Sequence, residues 1–384
     1  MQTDRITVGL QLPELQVNAV HETPFGVDVV AQYARQDAPC PACGRSTWRV
    51  HQWRRQRKQD LELWDKPVAL VLWKRQFRCR PCRKVFTEDD PVCGRRRRTT
   101  VRLRRQLARE AEDVTVRTTA HWHAVSEGLV QRSWLEAHSV IAAPAQPHRY
   151  LGMDGFCVRR PGRMWTGLWD LETRRPVAIV PGQRRDALEA MLRLHASRRT
   201  VAAVCIDLAE AERQAVRVTL PDAAVVADKF HVVALASRAL REVHGERRLR
   251  GSVAWLLQRG VERLRPQEQQ QLAETLRRDT PLRTAWMLKE ELRHVYRART
   301  FGEADARLDA WIAEARASRL GPFVRTAQTQ ASWRTELLNY WHHPITNAVV
   351  EGKHNRVKVA KRRAFGYRND HVFQLRILNL FHTD

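Results

Sequence analysis

The stretch VCIDLAEAERQAVRVTLPDAAVVADKFHVV, Val204 to Val233, decides the fold. It opens on a short apolar run ending in Asp207, passes through the helical segment AEAERQAVRVTL, and closes on a second apolar run ending in Asp228. Short apolar runs bounded by turn residues read as buried strands. Strand, helix and strand in succession place both carboxylates at strand ends, where an open sheet collects its ligands. One such Asp is often only a cap for the next helix. A third acid, Asp154 in LGMDG, and Glu351 on a later helix make separate capping roles less economical than a shared site.

Upstream, RYLGMDGFCVRR, MWTGLWDLET and RPVAIVPG are three strand-like segments joined by turn residues, and RRDALEAMLRLHA follows as a helix. The order is therefore β-β-β-α-β-α-β. From about Val232 to Trp333, Leu, Trp and Val recur at three- and four-residue spacings, which predicts helices throughout. After HHPITN (His342 to Asn347) one more basic helix begins, and Asn347 is placed to cap it.

Residues 1 to 95 alternate apolar and polar over short stretches and carry two CxxC pairs, Cys40 with Cys43 and Cys79 with Cys82. Two such knuckles complete a tetrahedral thiolate site that zinc accepts without strain. From about Thr100 to Ala143, Val101, Leu103, Leu107 and Ala111 mark one side of helices whose other side is cationic, and AAPAQPH (Ala142 to His148) reads as a linker. VRTTAHWHAVSEGLVQRSW (Val116 to Trp134) fits two helices around a turn, with Gly128, Gln131 and Arg132 near the start of the second, where base edges are reached. The run RRRRTTVRLRR supplies Arg95, Arg96, Arg97, Arg98, Arg102, Arg104 and Arg105 for phosphates. The final helix supplies Lys353, Arg356, Lys358, Lys361, Arg362 and Arg363.

Phosphodiester cleavage and transfer use two hard cations about 4 Å apart. Magnesium and manganese suit such work because they take oxygen ligands and retain waters. Two Asp residues from neighbouring strands and a Glu from a helix packed on the sheet form the arrangement of an RNase H-like nuclease core. The blocks LGMDG, VCIDLAEAERQAVRVTLPDAAVVADKFHVV and NAVVEGKHNRVKVAKRRAFGYRN resemble those of the DDE transposases of bacterial insertion sequences in the ISL-three family. The resemblance covers nearly the whole chain. It implies Asp154, Asp207 and Glu351 as the triad holding two magnesium or manganese ions, with Asp228 and His231 of DKFH auxiliary.

The fold class expected is multidomain α+β and α/β. A zinc-ribbon-like β module spans 1–95 and a helix-turn-helix 96–143. The first part of an RNase H-like mixed-sheet core spans 148–233, an all-helical insertion 234–340, and the final core helices 341–384. The 384 residues carry a formal net charge of +25, which points to a polyanionic partner. The resemblance implies that this partner is double-stranded DNA, as transposon ends and target, bound by a homodimer or higher oligomer. No apolar run is long enough to span a membrane and the start lacks a signal-peptide pattern, so a cytoplasmic, nucleoid-associated protein is expected. Seven cysteines in that compartment argue for metal rather than disulfides. The expected function is strand cleavage and strand transfer at terminal inverted repeats. The rivals are a catalytically inactive DNA-binding derivative and a structure-specific RNase H-like nuclease.

Overall fold

A computed structural model of the chain describes residues 11–138, 147–159, 163–246, 253–363 and 369–381. Most of the expected linker and the turn through Pro161 and Gly162 lie outside them, and the side chains of Glu351 and Arg363 are outside the described side chains. The chain forms two compact units, Met1–Ile141 and Ala142–Asp384.

The first unit begins with β1 (Leu15–Thr23), β2 (Gly26–Tyr33), the short pair β3 (Ala38–Pro39) and β4 (Ser46–Thr47), β5 (Val50–Leu63), β6 (Lys66–Arg78) and β7 (Val85–Thr87). The main sheet runs β1-β2-β6-β5, with β7 on β6 and a parallel β2/β6 pair. Alternation in β2 sends Val27, Val29, Ala31 and Tyr33 to one face, where Val68, Leu70 and Leu72 of β6 meet them. The same face carries buried charge. Lys74 lies 2.9 Å from Asp90, whose other oxygen accepts from the Tyr33 hydroxyl at 2.5 Å and from the Cys93 N–H at 2.9 Å. Three helices follow, α1 (Val101–Asp113), α2 (Val116–Trp122) and α3 (Glu127–His138). Thr100 and Thr115 cap the first two by accepting from the N–H groups of Leu103 and Thr118.

The second unit contains β8 (Tyr150–Arg159), β9 (Arg163–Asp170), β10 (Pro176–Pro181), α4 (Arg185–His195), β11 (Ala203–Ile206), α5 (Glu210–Thr219) and β12 (Ala224–Ala227). A helical region follows: α6 (Lys229–Glu246), α7 (Val253–Gln258), α8 (Pro266–Arg278), α9 (Thr280–Val295), α10 (Phe301–Ala317), α11 (Gly321–Ser332) and α12 (Arg334–Leu338). The chain ends with α13 (Ala348–Arg363) and α14 (Asp370–Asn379).

The sheet order is β10-β9-β8-β11-β12, antiparallel through β10, β9 and β8 and parallel through β8, β11 and β12. One face buries Leu151, Met153, Val204, Ile206, Val225 and Ala227 in a core continuous with α4, α5 and the helical region. The opposite face buries Phe156, Trp165 and Trp169 against Val350 and Val357 of α13 and Phe373 and Ile377 of α14. Asp154, Asp207 and Asp228 sit out of phase with the first set, so the strand period of two turns all three toward the α13/α14 side.

Asp90 holds a buried lysine, a tyrosine and a backbone N–H together in the first unit. Asp90→Ala should destabilise that unit by about 3–5 kcal/mol, because it strands a buried ammonium. Denaturant unfolding of the full chain with Asp90→Asn alongside checks this, since the Asn variant keeps the shape and loses only the charge.

Candidate functional site

Pairing places three acids on one row. Gly152 pairs with Cys205, and Ile206 pairs with Ala227. Two residues beyond the first pair stand Asp154 and Asp207, and one beyond the second stand Asp207 and Asp228. The Asp228 N–H donates to the Ile206 carbonyl at 2.8 Å, extending the ladder to that row.

Within the row, the ligand atoms of Asp207, Asp228 and His231 all lie within 4.8 Å of one another. Nδ1 of His231 is 2.9 Å from Asp207 Oδ1 and 3.1 Å from Asp228 Oδ2, but only the second contact has hydrogen-bond alignment. Asp207 Oδ1 is therefore a buried oxygen without a hydrogen-bond partner among the described residues. Exposure rises across the group, from 2% for the Asp228 side chain through 22% for Asp207 to 46% for His231, so the cluster opens to solvent at one end.

Electrostatics follow from this crowding. Burial, with the charges of Asp154 and Asp228 added, pushes the Asp207 carboxyl up against the pull of His231. Asp207 and Asp228 in turn push the His231 imidazole up to about 10, so it is a cation at neutral pH. Glu212 of α5 is buried nearby. Its Oε2 accepts from the Asp207 N–H at 3.2 Å, and burial raises its carboxyl well above the usual range.

Asp154 has a different partner, Nδ1 of His354, at 3.0 Å. His354 is buried on α13 against Phe156 and Trp169, with ring centroids 4.8 and 5.8 Å away. Position 351 is one turn before it, so the helix that carries Glu351 is docked beside Asp154. Asn347 completes the docking. Its Nδ2 donates to the Met153 carbonyl at 2.9 Å and its backbone N–H to Asp228 Oδ1 at 3.3 Å. The Asn347 Oδ1 has no partner among the described residues, so the side chain spans the sheet and does not cap α13 as its position suggested. Nor does Asp207 cap α5, whose N-cap is Ala209 without a side-chain bond.

The four cysteines form a second cluster. Cys40 Sγ lies 3.5 Å from Cys82 Sγ, and Cys43 Sγ 3.6 Å from Cys79 Sγ. The edge of a tetrahedron with zinc–sulfur bonds of about 2.3 Å is about 3.8 Å, so this donor set fits zinc. Both knuckles share one turn. The N–H groups of Cys40 and Cys79 donate to the carbonyls of Arg45 and Lys84, each at 2.9 Å, and the residues after the second cysteine, Gly44 and Arg83, take φ of 72° and 57°. The Ala42 N–H lowers the Cys40 thiol to about 6, favouring the thiolate.

Of the expected DNA contacts, Arg95, Arg96, Arg97, Arg98, Arg105, Gln131 and Arg132 are exposed. Arg104 is corrected: it is buried, and its guanidinium donates to the carbonyls of Cys93 and Thr99 at 3.0 and 2.7 Å. Arg102 is paired with the buried Asp60. On α13, Lys358 and Arg362 are exposed and Lys353 and Lys361 are half-buried. Arg356 is exposed too, its guanidinium 5.0 Å from the centre of the Phe381 ring. His354, Asn347 and Glu212 are the site residues that sequence reasoning missed. For His354 the signal was available, since it follows Glu351 at helical spacing.

A family profile for ISL-three transposases, described as "Transposase", matches residues 151–377, and a second, described as the zinc-finger of transposase IS204/IS1001/IS1096/IS1165, matches 36–82. The transposase for insertion sequence element IS1001 of Bordetella parapertussis is 29% identical over 361 residues, 89% of this chain and 88% of that protein. The transposase for insertion sequence element IS1557 of Mycobacterium tuberculosis is 27% identical over 283 residues, 65% of this chain and 63% of its own length.

Two outcomes are expected. Cys40→Ser with Cys79→Ser should lose most of the zinc measured by elemental analysis while the second unit's helical circular dichroism stays, because the metal carries much of a small module's folding energy. Asn347→Ala should destabilise the second unit by about 1–3 kcal/mol in denaturant unfolding, because the Met153 carbonyl is left buried without a donor.

Proposed function

The chain belongs to the ISL-three family of transposases, and from that membership we propose that it binds the terminal inverted repeats of an insertion sequence, cuts the strands there and joins them to target DNA. The second unit is proposed as an RNase H-like core. Supporting this are the 3-2-1-4-5 order of its strands β8–β12, the switch from antiparallel to parallel pairing at β8, and α13 lying on the face that carries the acids. The single observation that carries the reading is the row of Asp154, Asp207 and Asp228 on that face, with a buried Asp207 oxygen that has no aligned hydrogen bond among the described residues.

Carboxylate oxygens of this kind fit magnesium or manganese. Asp154, Asp207 and Glu351 would hold the ions, which when bound supply activation of the attacking oxygen and stabilisation of the leaving oxygen in an in-line displacement. The chain's own residues do the remaining work. Asp207 and the more deeply buried Asp228 concentrate negative charge in the row, and cationic His231, at the solvent-facing end of the group, keeps that concentration tolerable. Glu212 fixes the backbone of Asp207 through its N–H. His354 and Asn347 hold α13 against β8, so that position 351 stays beside Asp154. The exposed cations Lys358 and Arg362 lie further along α13, where they suit DNA leading into the site. Helices α2 and α3, with Gln131 and Arg132 exposed near the start of α3, are proposed as a helix-turn-helix that reads duplex DNA. Paired ends imply at least a dimer on DNA, acting at the bacterial nucleoid in the cytoplasm.

A second assignment is favoured by one contact set. Asp228 and His231 group with Asp207, whereas Asp154 is engaged by His354. On that assignment Asp228 is a primary ligand and not auxiliary.

Cleavage of a labelled inverted-repeat duplex in magnesium or manganese separates these. Asp154→Ala, Asp207→Ala and Glu351→Gln should each lose at least about a hundredfold in rate, roughly 2.7 kcal/mol in barrier, while binding of the end stays within about threefold. Retained cutting by Glu351→Gln would remove it from the triad. An inert Asp228→Ala beside an active Asp154→Ala would establish the second assignment.

A further inference from the structure

Two aromatic rings stand exposed at one end of the first unit's main sheet. Phe25, in the turn between β1 and β2, keeps 88% of its surface, and Trp64, in the turn between β5 and β6, keeps 69%. Strands β2 and β6 are neighbours and run parallel, with Val27 beside Val68, so both hairpin turns emerge at the same end. In the order β1-β2-β6-β5 the turns are two strand spacings apart, about 10 Å, and one surface can meet both rings. Local contacts hold the first turn. Thr23 Oγ1 accepts from the Phe25 N–H at 3.3 Å and donates to the Gly26 carbonyl at 3.0 Å. Gly26 takes φ of 142° and sits so close to the start of β6 that a Cβ there would stand 2.1 Å from the Pro67 carbonyl oxygen.

The second turn is an expensive place for a tryptophan. Leu63 pairs with Lys66, which leaves Trp64 and Asp65 as a two-residue loop with φ of 51° and 59°. Such a loop favours Asn or Gly, because the Cβ of a bulky residue is crowded in the left-handed region. The exposed ring recovers nothing from burial, so neither the turn nor the core accounts for it. The tip is also acidic in a basic chain. Residues 21–28 and 60–65 hold Glu22, Asp28, Asp60, Glu62 and Asp65 and no Lys or Arg, in a sequence of 67 Lys and Arg against 42 Asp and Glu. Asp60 is buried, and Glu22 and Asp28 are paired with Lys66 and Arg57. Glu62 and Asp65 are exposed on either side of Trp64 and have no ion pair among the described residues.

We propose that the paired hairpin tips, Phe25 and Trp64 with Glu62 and Asp65, dock on a second copy of this chain. Free carboxylates beside the rings repel phosphate, which makes duplex DNA a poor occupant. An arginine-bearing protein surface suits both features, since a guanidinium pairs with carboxylates and stacks on aromatic faces. This chain uses that stacking within itself: Arg213 lies over Trp333 and Arg259 over Trp255, each guanidinium carbon 4.1 Å from a ring centre. At a net charge of +25 a second copy offers the arginines that the tip lacks. Tips exchanged in both directions close a two-fold dimer, because each copy gives one and receives one. Such a contact rests on the paired-end reading above for its second copy, and gives that reading its protomer interface.

Sedimentation velocity of the full-length zinc-loaded protein, without DNA and across a concentration series, reads the contact. Wild type should dimerise, with an affinity that falls as salt rises. Trp64→Asn suits the left-handed turn and removes the ring, so its thermal unfolding should stay level or rise while self-association weakens at least about tenfold. Phe25→Ala, in the other turn, should weaken it too, and stands in for Trp64→Asn if that variant fails to fold. Glu62→Arg should weaken it more at low salt than at high, because the lost attraction is screened. A wild type that stays monomeric throughout the series overturns the proposal, as does a folded Trp64→Asn that dimerises like wild type. So does a Trp64→Asn whose only loss is affinity for a fluorescent duplex, which makes the ring a DNA contact. Cleavage of a labelled duplex end is scored on the same samples. A wild type that dimerises through Trp64 and does not cut counts against the catalytic reading alone.

Discussion

The contact on which the arrangement of the second unit's acidic row depends is made by one short segment, Ile345 to His354. Asn347 ties this segment to β8 through the Met153 carbonyl and to Asp228 through its own backbone, and His354 closes on Asp154. The Ile345 carbonyl adds a weaker contact, accepting from the Cys205 thiol at 3.9 Å. Between Asp228 and Asn347 the chain passes through the whole helical region. Loop-closure entropy grows only slowly with such length, so chain connection alone does little to specify where α13 lands. Specification comes from the return leg: Arg217 pairs with the buried Glu336 at 2.5 Å, Asn339 donates to the Val225 carbonyl at 2.8 Å and Lys229 to the Tyr340 hydroxyl at 3.1 Å. These contacts deliver the chain to the end of β12 already oriented, and the helical region joins the sheet's own apolar core.

Convergence of acids has an electrostatic consequence that the fold has to absorb. Burial, with neighbouring like charges added, raises the proton affinity of both Asp207 and Glu212. A row of carboxylates is therefore a poor structural device, and a hydrophobic replacement would pack better. Two histidines relieve it from opposite ends. His231 is held cationic between Asp207 and Asp228, and His354 supports Asp154 from α13. Perturbed groups gathered in one partly exposed row suit the proposed catalytic role, held at the expense of stability.

Much of this was legible in the sequence because the informative features are local. Apolar runs that end in Asp207 and Asp228 give the strands and their termini together, and a CxxC pair states its own geometry. The failures were all tertiary. Asn347 precedes a helix and so reads as a cap, yet its amide is used by Met153 across the sheet, a partner that local sequence does not reveal. Arg104 stands in a basic run and so reads as a phosphate contact. It lies one helical turn before Leu107 and Ala108, however, and that inward phase buries it. In both cases the residue type was read for its commonest local use, and a long-range partner overrode it.

The two clusters of metal-binding residue types among the described residues differ in construction. The cysteine site is made of backbone turns: each knuckle is closed by its own N–H to carbonyl bond, all four positions are thiols, and nothing in its geometry leaves a place for substrate. Zinc ligated in this way stabilises a module and does no chemistry. The acidic site is made of side chains projecting from neighbouring strands, and its exposure increases in one direction. On the proposed reading, a closed thiolate site and an open carboxylate row on a sheet face divide the labour of a transposase. The first would fix the shape of its own small module, and the second would hold charge where a phosphodiester is broken.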